Sequence, residues 1–155
     1  MMTWTAWQQA VEEDGANLWD VYVLDTDRSD WQRLLDWLHE SGIPLAFERG
    51  GVSEAVPHDV GVTFVQHQDQ VTCTLFIDPD GMQINTHFFI EGEIELDLGP
   101  RDVRDEHDLA RLQRFLTSIA GLLGKSVLVT PENGQQHPMF EVAPNGSTRS
   151  HWRTR

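Results

Sequence analysis

The chain has 155 residues, 39% of them hydrophobic, the length of one ordinary domain that buries about two-thirds of its unfolded surface around a single core. Its 25 acids against 11 bases leave a formal charge of −14 with neutral histidines, a field that repels DNA, RNA and anionic lipid and speeds encounter with a cationic protein. One cysteine, Cys73, excludes an internal disulfide and a cysteine-based metal cage, and no window approaches the roughly 18 apolar residues of a membrane span.

The N-terminal stretch MMTWTAWQQAVEEDG lacks a cationic start followed by an apolar run, so a soluble, cytoplasmic protein is expected. Trp4, Trp7 and Val11 fall at helical spacing before Gly15 and predict a short first helix. Residues 18–25, LWDVYVLD, read as a strand. In TDRSDWQRLLDWLHESG, the stripe Trp31, Leu34, Leu35 and Leu38 predicts a helix near 30–41, with Ser29 and Gln32 as its capping box and Gly42 as its stop. A short strand is expected at 43–47 and a loop over 48–59.

From Val60 the hydrophobic period reads as two. Val60, Val62 and Phe64, then Val71, Cys73, Leu75 and Ile77, then Ile84, Thr86, Phe88 and Ile90 alternate as strands of an antiparallel meander over about 60–98. Gln68-Asp69 serves as one loop, and DPDG at 78–81 carries the chemistry of a type I turn. On this parity Phe64, Cys73 and Phe88 share an inner row, while Thr63, Thr74 and His87 share an outer row with Phe89 nearby.

The apolar parity continues through Ile94, Leu96 and Leu98, so Glu93, Glu95 and Asp97, with Glu91 before them, point away from the core. Successive outward residues lie about 6.6 Å apart, inside the carboxylate spacing of inverting glycosidases. The same spacing holds for any i, i+2 pair, and an edge strand uses such charges to resist pairing with neighbours. Leu109, Leu112, Leu116, Ile119 and Leu123 then predict a helix over 104–123, SVLVT a last core strand, and Met139 to Val142 one strand in the C-terminal stretch. Residues 131–155 hold two acids, Glu132 and Glu141, against Arg149, Arg153 and Arg155. They are expected to be a polar, mildly basic extension of a single domain spanning 1–130.

Three short segments carry motif-like letters. VYVLDTD resembles the start of haloacid dehalogenase-type phosphatases, which would make Asp25 a nucleophile and Asp27 an acid, and it is similar to a glycosyltransferase D-x-D. Against the phosphatase fold stands the antiparallel meander, and Asp25, Asp27 and Ser29 are better read as opening a helix at its electropositive end. The same acids mimic an EF-hand loop, whose sixth position would here be Asp30 instead of glycine. GLLGKS at 121–126 lacks the first P-loop glycine and runs from helix to strand, which makes Gly124 a helix cap. The seven histidines show no metal-ligand spacing, and no metal or cofactor is predicted.

The fold expected is α+β, a mainly antiparallel sheet with two long helices on one face. The leading functional expectation is a non-enzymatic, acidic protein-binding module, comparable in type to bacterial immunity proteins that neutralise a cationic partner. Its contacts would be Glu91, Glu93, Glu95, Asp97 and the off-stripe Trp37. The other expectation is a small-molecule binder or enzyme using Thr63, Thr74, His87 and Phe89, with a second copy of the chain as the alternative companion.

Overall fold

The computed structural model describes residues 2–68, 70–79 and 81–152, with the backbone alone described for 65–68. Helix α1 (Trp4–Asp14) is capped by Thr3 and ended by Gly15 in the left-handed region, φ 70°. Strand β1 (Trp19–Leu24) follows, then α2 (Arg28–Glu40), the hairpin β2 (Leu45–Arg49) and β3 (Val52–Glu54), and α3 (Gly61–Gln68). The chain continues through β4 (Cys73–Ile77), β5 (Ile84–Thr86), β6 (Glu93–Leu98), α4 (Glu106–Leu123), β7 (Val127–Pro131), β8 (Phe140–Val142) and β9 (Thr148–Ser150). Among the described residues these strands form one antiparallel sheet in the order β3-β2-β4-β5-β6-β1-β7-β8-β9.

The fold is the α+β sandwich of a sheet and a helical layer that the pattern predicts. The layer lies on the inner face: Trp7 of α1 packs on Trp19 and Phe140, and Trp31 of α2 packs on Phe88, with ring centroids 4.9–5.6 Å apart. Leu109, Leu112, Leu116 and Ile119 of α4 complete the same core. Trp7 and Trp19 are fully buried, and each such large side chain contributes about 2–3 kcal/mol through the area it removes from water.

Three local expectations are corrected. Residues 61–68 are helix, not the first strand of a meander. Val60 and Phe64 share a parity but are also four apart, and the helix places both in the core, Phe64 against Trp31 and Phe88. Consequently Phe64 does not face Cys73 in the sheet; Cys73 pairs with Arg49. Gln68 belongs to the helix, and Asp69 lies outside the described residues.

The strand expected to run to Ile90 stops after Thr86, because Phe88 takes φ 54°, a costly conformation for a bulky residue. That bend turns the Phe88 ring under Trp31 and leaves Ile90 exposed, with its carbonyl accepting from Trp31 Nε1 at 3.1 Å. The DPDG register is as expected: Ile77 pairs with Ile84, and the Gly81 N–H donates to Asp78 Oδ1 at 2.6 Å.

The cap of α2 is Asp27, two residues ahead of the expected Ser29. Asp27 and Asp30 exchange hydrogen bonds with each other's backbone N–H at 2.9 and 3.1 Å. Asp30 is buried and also takes Lys125 Nζ at 2.6 Å and the guanidinium of Arg33, which ties α2 to the loop leaving α4. Gly124 ends α4 as a left-handed cap, φ 65°. The C-terminal stretch is more structured than its composition suggests: β8 and β9 extend the sheet, and Phe140 and Val142 are core residues.

Candidate functional site

Strand β6 is the middle strand of the nine, so its acids do not guard an edge. Ile94, Leu96 and Leu98 are buried on the inner face, and Glu93, Glu95 and Asp97 stand half-buried on the outer one. Alternation in β1 adds to them, since Trp19, Val21 and Val23 face inwards and send Asp20 and Tyr22 out. The register sets Asp20 opposite Asp97, Tyr22 opposite Glu95, and Leu24 opposite Glu93. Four carboxylates thus meet on two adjacent strands.

Their partners come from both sides. Asp97 accepts from Asn85 Nδ2 at 3.2 Å through one oxygen and meets His87 Nε2 at 3.2 Å through the other. The other nitrogen of His87, Nδ1, lies 3.1 Å from Thr74 Oγ1, and Phe89 sits beside the imidazole at 5.3 Å between centroids. On the opposite side the loop after β7 folds across β1. The Asn133 N–H donates to Asp20 Oδ2 at 2.6 Å, Tyr22 donates to the same oxygen at 3.2 Å, and the Gln135 amide donates to Glu93.

This crowding is visible in the proton affinities. Burial, then the charges of Asp20, Glu93 and Asp97, push Glu95 up to about 7. Burial and the neighbouring acids hold the Tyr22 hydroxyl far above its ordinary range. His87 is raised by its hydrogen bond to Asp97, against the opposing effect of burial. Among the described residues the ion pair made by these four acids is His87–Asp97; no lysine or arginine lies within 4 Å of any of them.

Of the residues expected to form a partner surface, Glu93, Glu95 and Asp97 come together, whereas Glu91 is neutralised by Arg28 at 2.5 Å. Trp37 belongs to a different surface: it packs on Phe115 of α4 and lines a groove of about 330 Å³ by the DPDG turn. Of the alternative set, Thr74, His87 and Phe89 cluster. Thr63 does not join them, because it is fully buried in α3 with its hydroxyl donating to Val60 O at 2.7 Å. Asp20 and Tyr22 were missed although the Trp19, Val21, Val23 alternation signals them; Asn133 and Gln135 had no local signal, since a loop's resting place depends on the finished sheet.

Asp25 and Lys125 line one shallow pocket of about 370 Å³, but Lys125 is engaged by Asp30, and the sheet around them is antiparallel. Among the described residues no three His, Cys, Asp or Glu side chains are grouped to hold a metal ion, and no helix is long and apolar enough to cross a membrane. Comparison with known protein families, curated proteins and solved structures finds no match to this chain.

Proposed function

We propose that the chain is a non-enzymatic protein-binding module whose outer sheet face receives a cationic segment of a partner protein, as an immunity-type antagonist does. The observation that supports this reading is the Asp20, Glu93, Glu95, Asp97 cluster, which among the described residues has no lysine or arginine within 4 Å to neutralise it. Like charges on facing strand positions destabilise the sheet, and sequences keep such local conflicts where function requires them. A partner's lysine or arginine reaching Glu95 and Asp97 relieves that repulsion on binding, and the steering field of −14 speeds its arrival.

The test is a salt-graded pull-down from lysate, followed by titration of the recovered partner against Glu95→Gln and Asp97→Asn, alone and together. A basic partner lost at high salt and weakened by each substitution is expected. A partner whose affinity and salt slope ignore both substitutions refutes the site.

A second reading, a small-molecule binder, is favoured by the Thr74–His87–Asp97 chain, in which an imidazole sits between a hydroxyl and a carboxylate. A groove of about 320 Å³ lined by Asn85, Asp97 and Arg101 lies beside it. A fragment screen read from the His87 ring resonances decides this: hits must move them, and a screen with none ends the reading.

A further inference from the structure

A larger groove lies elsewhere, on the helical side. Met2, Thr3 and Trp4 at the start of α1 and one face of α4 line about 690 Å³, with Met2, Trp4, Leu109 and Ala110 as an apolar floor and Thr117 on its wall. Its origin is sequence-local: α4 buries Leu109, Leu112, Leu116 and Ile119, and the neighbouring stripe passes through Ala110, whose small side chain leaves the space open.

Towards one end the trough carries Arg114, which is exposed, with Thr117 and Ser118 on the next turn beyond it. In this acidic chain every other described lysine or arginine except Arg101 has a carboxylate within 4 Å, whereas Arg114 has none among the described residues. Glu106 stands at the other end, two helical turns or about 12 Å away. The trough is therefore polarised: an apolar floor with a cation towards one end, an anion at the other, and Thr3, Gln113, Thr117 and Ser118 as neutral polar groups on its walls.

We propose that this groove binds a single-chain anionic amphiphile, a fatty-acid-like monocarboxylate, with its chain along Met2, Trp4, Leu109 and Ala110 and its carboxylate on Arg114. A volume in the ordinary range for ligand sites and a few polar groups at one end suit that class. A guanidinium recognises a carboxylate through paired, charge-assisted hydrogen bonds. A purely apolar ligand would leave Arg114 unused, a cationic amphiphile would meet its charge, and Glu106 disfavours the reversed orientation. The acidic sheet face plays no part, so this proposal stands or falls separately from the docking of a cationic partner.

The test is isothermal titration of the full chain with monomeric sodium dodecanoate, alongside dodecyltrimethylammonium and anionic phospholipid vesicles. Saturable one-to-one binding of dodecanoate is expected, roughly tenfold weaker for Arg114→Gln and lost in Ala110→Trp, which fills the trough from an exposed position. Both variants should keep the wild-type circular dichroism and urea midpoint. The proposal is overturned by no saturable binding, by equal binding of the cationic amphiphile, by binding to vesicles alone, or by affinity unchanged in both variants.

Discussion

Asp20 and Asp97 face each other directly across the central antiparallel pair, with Glu95 one position along the same outer face. Glu95 binds its proton more tightly in the folded chain, up to about 7 against an ordinary 4.5, so folding stability falls as pH rises through that window and levels off above it. Glu95→Gln removes the penalty. The variant should exceed the wild type by roughly 0.5–1 kcal/mol at pH 8, with the gain shrinking by pH 5. Urea midpoints at both pH values check this; a gain of the same size at each, or none, contradicts it.

His87 shows the opposite linkage. Its folded proton affinity is raised by Asp97, so its contribution is fully present below pH 6.5 and is lost as pH rises through the higher folded value. An NMR titration of the imidazole should give a midpoint above 6.5 that drops in Asp97→Asn. A midpoint at or below 6.5 in the wild type would mean that the Asp97 hydrogen bond does not persist in solution.

At Asp30 burial raises the carboxyl, but hydrogen bonds from Lys125 and Arg33 outweigh it and hold the group below its usual range. Its stabilisation is therefore present above about pH 4 and fades as pH falls further. Asp30→Ala removes half of a capping box and leaves Lys125 without its partner, at a cost of about 2–3 kcal/mol at pH 7. A guanidinium unfolding curve measures it, and a loss below about 1 kcal/mol would show that solvent replaces the pair.

Trp31 joins three pieces of the inner layer: it packs on Phe64 of α3 and Phe88 beyond β5, and its Nε1 donates to Ile90 O. Trp31→Ala should cost about 3–5 kcal/mol. Trp31→Phe should restore part of that while leaving the Ile90 carbonyl unserved. Equal stability of the two variants would show that the hydrogen bond, not the packing, dominates.

The sequence carried the layered α+β architecture through its long periods: the stripes of α2 and α4 and the alternation of β1, β4 and β6 each fit one geometry. It misled where two periods coincide, because Val60 and Phe64 suit a strand and a helix alike and only the Trp31–Phe88 pocket decides between them. The outward direction of Glu93, Glu95 and Asp97 was legible from parity. Their position at the middle of the sheet was not, since strand order depends on which distant edges β1 joins.

That last feature governs the order of events at synthesis. β1 precedes the other strands of this sheet in the chain, yet its two neighbours arrive far later: Trp19 pairs with Leu98 on one side and with Pro131 on the other. A ribosome must therefore deliver most of the chain before the sheet's centre closes, and until then β1 offers two unsatisfied edges. Such distant pairings make for slow closure, so a nascent chain stalled before β7 would be the form most in need of a chaperone.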